Sequence, residues 1–149
     1  MSPKSRFTPT DLPDGRVRAV IENVTPSVDG GRFPIKRVAG DSVEVRADCF
    51  ADGHDVVACT LLWRRAGAAQ WHSASMQALG NDRWEAAFVA DVVGAWQYTV
   101  RAWVDPFLSW RHDFSRRVDA DDVQLAARTG AALIDEAAQR AKKGADAKL

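Results

Sequence analysis

The sequence predicts a mainly β fold, an immunoglobulin or fibronectin III-like β-sandwich followed by a C-terminal helical segment, and three observations carry that prediction. Residues 94–105 read G-A-W-Q-Y-T-V-R-A-W-V-D, with Trp96, Tyr98, Val100, Ala102 and Val104 on one side of a period-2 pattern and Gln97, Thr99, Arg101 and Asp105 on the other. This is a strand with one buried face, and since a lone strand cannot bury five apolar side chains, other strands must cover it. The stretches before it repeat the alternation, with turn signals roughly every ten residues, as in the seven-stranded sandwich plan. At Asp105-Pro106 the period changes, and Phe107, Trp110 and Phe114 follow at helical spacing.

Taken in order, residues 1–15 carry Pro3, Pro9, Pro13 and Asp14-Gly15 with few apolar residues, which predicts a flexible lead-in. The sandwich is expected over 16–105. Its first strand, 16–24, sets Val17, Ala19 and Ile21 against Arg16, Arg18, Val20 and Glu22. Residues 25–40, with Pro26, Asp29-Gly30-Gly31 and Pro34, predict a long ordered loop pinned to the core by Phe33 and Ile35. Its cations Arg32, Lys36 and Arg37 read either as an anion site or as a solvated edge.

Residues 42–50 alternate Val43, Val45, Ala47 and Cys49 with Glu44, Arg46 and Asp48, and 56–65 is a nearly continuous apolar run suited to a central strand covered on both faces. Between them, Asp52-Gly53-His54-Asp55 has turn composition. Residues 70–79 predict one irregular, exposed strand, and Gly80-Asn81-Asp82 predicts a hairpin turn using positive φ. Residues 83–89 return with Trp84, Ala86 and Phe88 inward. No cysteine lies near 96–104 to bridge the sheets, which favours the fibronectin-like variant; Tyr98 reads as either a tyrosine corner or core packing.

Residues 106–149 are expected to be helical, the start of a truncated helical subdomain. Asp121-Asp122 signals the N-terminus of a helix over 123–143, with Ala126, Ala127, Leu133, Ile134, Ala137 and Ala141 as its apolar stripe.

A chain of 149 residues suits one domain plus an appendage, with no metal or disulfide required for folding. Lys+Arg and Asp+Glu balance at 20 each, so no global field recruits nucleic acid or an anionic membrane. Without an apolar run behind the N-terminus or a membrane-length apolar stretch, the expected compartment is the cytoplasm. Cys49 and Cys59 then read as buried free thiols.

Catalytic chemistry finds little support. Asp48, Asp52, His54 and Asp55 cluster in sequence but lack a second ligand group, and His72, Ser73 and Ser75 form no nucleophile motif. No catalytic, cofactor or metal residue is assigned. The six tryptophans are more informative: Trp84 and Trp96 fall in the core, whereas Trp63, Trp71, Trp103 and Trp110 are candidates for the surface. Trp103 sits among the polar positions of its strand. With Trp71, Trp110, Leu133 and Ile134 it forms the candidate set for an interface or a sugar contact.

Four separated stretches, I-E-N-V-T-P-S-V-D-G-G-R-F-P-I-K-R at 21–37, G-D-S-V-E-V-R-A-D-C-F-A-D-G-H-D at 40–55, L-G-N-D-R-W at 79–84 and W-Q-Y-T-V-R-A-W-V-D-P-F-L-S-W-R-H-D at 96–113, together resemble the N-terminal domain of the bacterial α-1,4-glucan:maltose-1-phosphate maltosyltransferases of the α-amylase superfamily. The resemblance runs from about 16 to 138. It implies a noncatalytic module that supports a homodimer and flanks the active site, with the catalytic barrel of the same parent chain and a second subunit as partners and at most a weak α-glucan contact. A barrel takes about 250 residues, which these residues do not contain, so no catalytic residue carries over. The alternative reading is a freestanding α-glucan-binding sandwich.

Overall fold

The computed structural model describes residues 18–143, with side chains described through Ala141. The lead-in expected over 1–15, the opening pair Arg16-Val17 and the stretch after Lys143 lie outside the described residues. Seven strands precede two helices: β1 (Ala19–Thr25), β2 (Ser42–Ala51), β3 (Val57–Arg65), β4 (His72–Ser75), β5 (Gln77–Gly80), β6 (Arg83–Val89), β7 (Trp96–Val104), α1 (Pro106–Phe114) and α2 (Ala120–Lys143).

The strands form two antiparallel sheets, ordered β1-β2-β6-β5 and β4-β3-β7. The first has the A-B-E-D order of a constant-type immunoglobulin sandwich, and in the second β3 and β7 stand where C and F stand. No described strand occupies the next position, beside β7.

Alternation drives the packing. Val43, Val45, Ala47 and Cys49 of β2 are buried, while Glu44 and Arg46 between them are exposed. They meet Cys59 and Leu61 of β3, Phe88 of β6 and Val100 of β7 in one core. Trp84 joins its edge, with its indole Nε1 donating to the Cys49 carbonyl at 3.1 Å, so the half-buried polar tip is satisfied. Both cysteines are buried and free, as the alternation requires. Burial pushes both thiols up, Cys59 far above the ordinary range, which leaves them protonated and unreactive near neutral pH.

Two expectations about the sandwich need correction. Residues 70–79 are two strands, not one: β4 pairs with β3 in one sheet and β5 with β6 in the other, and the chain changes sheets at Met76, which is buried and donates its N–H to the Cys59 carbonyl at 2.9 Å. Phe33 does not pin the 26–39 segment; it is 57% exposed, and Ile35 alone of the pair packs on the core. Of the two readings of Tyr98, core packing is the one observed. Its ring packs on Phe88 at 5.7 Å between centroids, and its hydroxyl donates to the Pro26 carbonyl across the sandwich rather than to backbone a few residues upstream.

The predicted hairpin turn is present, with φ of 91°, 49° and 61° at Gly80, Asn81 and Asp82. Three successive positive values suit glycine and the Asn/Asp pair, whose short polar side chains tolerate that region.

Asp105 ends the strand pattern and caps α1. Its carboxylate accepts the Leu108 N–H at 2.8 Å, and Pro106 fills the first helical position, where no N–H is needed. Asp119 caps α2 by accepting from the N–H groups of Asp121 and Asp122 at 3.0 and 3.1 Å, and two carboxylates in the first turn complement the macrodipole. The helices pack on each other. They are tied to the sandwich at the root of α1, where Asp105 N–H donates to the Val56 carbonyl and Val56 N–H donates to Ser109 Oγ, both at 2.8 Å.

The inward face of α2 differs from the predicted stripe. Ala126 and Gly130 are buried, with Val123 and Leu133 half-buried, whereas Ala127, Ile134, Ala137 and Ala141 are exposed. Among the described residues no helix is long and apolar enough to cross a membrane.

Candidate functional site

The sheet edges are unequal. On one side the sandwich opens into a groove of about 1490 Å³ between β1 with the 26–39 segment and the edge of β7. Its floor is core: Phe88, Trp96, Tyr98 and Val100 reach it from β6 and β7. Its rim carries exposed apolar side chains from irregular backbone, Phe33, Val38, Val92 and Val93 among them. The 26–39 segment crosses the opening because Pro26 and Pro34 cannot donate to a ladder, and a 3₁₀ turn at Asp29–Gly31 folds it back. Tyr98 ties that segment to β7 through its hydroxyl, and burial pushes its phenol pKa up while nearby Arg37 opposes the shift.

The charge of the lining is one-sided. Arg32, Lys36, Arg37 and Arg64 line the groove, and among the described residues no carboxylate does. Arg32 is held by Asp29 at 3.0 Å, outside the lining. Arg64 spans the rim: its Nε donates to Gln97 Oε1 and its other arm to the Ala68 carbonyl, both at 3.0 Å, and the guanidinium lies 4.3 Å from the Trp71 ring centroid. Sequence reading isolated Arg32, Lys36 and Arg37 but missed Arg64, which lies 27 positions after Arg37 and joins them only through sheet pairing.

The five candidate contact residues do not converge. Trp71 is 37% exposed and lines the groove. Trp103 is half-buried on the outer face of the three-stranded sheet, opposite Ala58 and 5.4 Å from the Arg101 guanidinium. Trp110 is inside the helical hairpin, stacked on Phe114 at 5.0 Å, with its Nε1 donating to the Ala126 carbonyl at 2.7 Å. Leu133 is half-buried on α2, and Ile134 is 54% exposed on its outer side. Trp63, also read as a surface candidate, packs on the core and stacks on Phe88 at 5.6 Å.

Several carboxylates are engaged by arginines. Arg18 holds Asp52 at 3.0 Å and Asp55 at 2.6 Å across the β2–β3 turn. Arg46 pairs with Glu44 and with Glu85 at 2.6 Å, and this bond holds Glu85 below the usual carboxylate range. Asp48 accepts from Asn23 at 2.7 Å. Among the described residues no group of three or more His, Cys, Asp or Glu side chains could hold a metal ion. The arrangement offers a recognition surface, with paired carboxylates serving as structural struts.

Comparison with known proteins gives the same family as the sequence resemblance. Residues 17–149 match the family model described as α-1,4-glucan:maltose-1-phosphate maltosyltransferase, domain N/S. Proteins named α-1,4-glucan:maltose-1-phosphate maltosyltransferase are 48% identical in Chlorobaculum tepidum and 42% identical in Myxococcus xanthus, over 130 and 127 residues covering 87% and 82% of this chain. A similarly named protein of Streptomyces coelicolor is 38% identical over 90% of the chain. The match takes in 19%, 19% and 20% of those three proteins, so the chain spans about a fifth of their length. By its sequence match and its β-sandwich with a trailing helical pair, the chain belongs to the N/S-domain family of the α-1,4-glucan:maltose-1-phosphate maltosyltransferases.

Proposed function

We propose that this chain is the noncatalytic N-terminal module of a maltosyltransferase that moves maltosyl units from α-maltose 1-phosphate to α-1,4-glucan ends, and that it flanks the active site and supports a dimer. The carrying observation is the alignment of nearly the whole chain with about a fifth of each relative bearing that name. Two features support it. Asp52 and Asp55 are paired with Arg18, and Glu44 and Glu85 with Arg46, and none of the four lines the groove, whereas glycoside chemistry needs two carboxyl groups about 5–9.5 Å apart across a sugar. The outer side of α2 also presents Leu125 and Ile134, 65% and 54% exposed, to whatever covers it.

The second reading, a freestanding α-glucan-binding module, draws on exposed Trp71. Its ring carries the Arg64 guanidinium, which occupies a face that a sugar would stack on. Sedimentation with and without maltooligosaccharide separates the two readings. We expect self-association through the helical pair and at most weak sugar binding, sensitive to Trp71→Ala or Trp103→Ala. A strict monomer that binds maltooligosaccharide tightly would replace the proposal with the freestanding module.

A further inference from the structure

The two cysteines face each other across the sandwich. Cys49 comes from β2 of the four-stranded sheet and Cys59 from β3 of the three-stranded sheet, both inward at 1% and 3% exposure, and their thiols lie within hydrogen-bonding reach of each other. Their backbones are pinned on either side. Cys49 donates its N–H to the Asp82 carbonyl at 2.8 Å and its carbonyl accepts the Trp84 indole, while the Cys59 carbonyl accepts the Met76 N–H and its strand neighbour is Ala102 of β7. Side chains aimed at each other from fixed backbone are what a disulfide requires. Burial alone does not call for sulfur here, since Val45 and Ala47 fill the neighbouring inward positions of β2.

We propose that Cys49 and Cys59 are a redox pair that a peroxide converts into a disulfide, stapling one sheet to the other through the core. The Cys49 thiolate attacks one peroxide oxygen, the O–O bond breaks, and the other oxygen leaves as water with the proton that Cys49 gave up. Cys59 Sγ then attacks Cys49 Sγ of the resulting sulfenic acid, the S–O bond breaks, and the hydroxyl leaves as a second water with the Cys59 proton. Two thiols and one peroxide thus give one disulfide and two waters, and two electrons pass from sulfur to oxygen. The thiol contact sets the order. Burial pushes both thiols up, but the neighbouring thiol opposes that rise at Cys49 and adds to it at Cys59, so Cys49 is the more acidic and attacks first. In the closed fold both stay protonated, so the first step proceeds through brief opening of the sandwich and is slow. The pair therefore passes over a short exposure to oxidant and records a sustained one.

This chemistry is independent of the maltosyltransferase reading, since it involves no sugar. The probe is hydrogen peroxide, incubated for hours with the purified chain. Both free thiols, counted in denaturant, are expected to disappear together, the intact mass to fall by two hydrogens, and the melting temperature to rise by roughly 5–10 °C, with all three reversed by dithiothreitol. Cys49→Ala and Cys59→Ala each leave one thiol, and neither variant should gain melting temperature from the same treatment. Should either variant fail to fold, the unsubstituted chain still reports the link: cleavage at Asp52 or Asp55, between the two cysteines, should yield two peptides that stay joined until reduced. Thiols that survive a treatment long enough to oxidise a denatured sample, separate overoxidation of the two sulfurs, a link between two chains in place of the internal one, or a melting temperature that falls when the internal link forms would overturn the proposal.

Discussion

Leu61→Ala should lower stability by about 2–5 kcal/mol and the melting temperature by roughly 10–20 °C. Leu61 is at 0% exposure in the middle of β3, the central strand of its sheet, and belongs to the core shared with Val45, Cys49 and Phe88. Deleting its three outer carbons removes the transfer free energy of those atoms and leaves a cavity that two paired sheets can close only in part. The neighbouring Leu62 faces the opposite side of the same sheet and is half-buried, so Leu62→Ala should cost well under half as much. Thermal unfolding followed by circular dichroism checks both. Equal losses at the two positions would contradict the strand register.

Gly130→Leu should unpack the helical pair while leaving the sandwich folded. In α2 a glycine interior is costly relative to alanine by about 1 kcal/mol, so its presence needs a packing reason. The Trp110 ring supplies it: a Cβ built at Gly130 would lie inside the van der Waals envelope of the indole. The ring cannot simply swing away, because it is stacked on Phe114 and bonded through Nε1 to the Ala126 carbonyl. Overpacking typically costs about 1–3 kcal/mol, and a leucine at this contact belongs at the top of that range. Because the helices meet the sandwich chiefly at Asp105 and Ser109, the loss should stay local. Hydrogen exchange should show α2 amides losing protection while β2 and β3 keep theirs. Retained protection in α2 would mean that the Trp110–Gly130 contact is not what holds the hairpin.

The strands were legible where one face is wet and the other buried. Val43 to Cys49 and Trp96 to Val104 announce themselves by period, and Gly80-Asn81-Asp82 announces its turn by residue type. Sheet membership was not legible, because it depends on partners distant in sequence. Nothing in His72–Gly80 reveals that the first half pairs with β3 and the second with β6; only buried Met76 marks the change. The packing face of α2 was misread for a related reason. Alanines lie on nearly every side of that helix, and the side that packs is selected by Trp110, which needs the small residue at 130 and the carbonyl at 126.

For the candidate site, the basic residues of the 26–39 segment and Trp71 could be named from sequence, yet the groove that assembles them could not. It lies where β7 is the last strand of its sheet among the described residues, a property of strand order rather than of composition. Arg64 and Tyr98 enter the site through pairing of β3 with β7 and through the Tyr98 bond to Pro26, both long-range contacts.

The central claim is that this chain is a noncatalytic module, and phosphate release tests it most directly. Purified chain incubated with α-maltose 1-phosphate and glycogen should release no phosphate above a boiled control, because Asp52 and Asp55 are held by Arg18, and Glu44 and Glu85 by Arg46. Release above that control, abolished by substituting one Asp or Glu of this chain, would contradict the account.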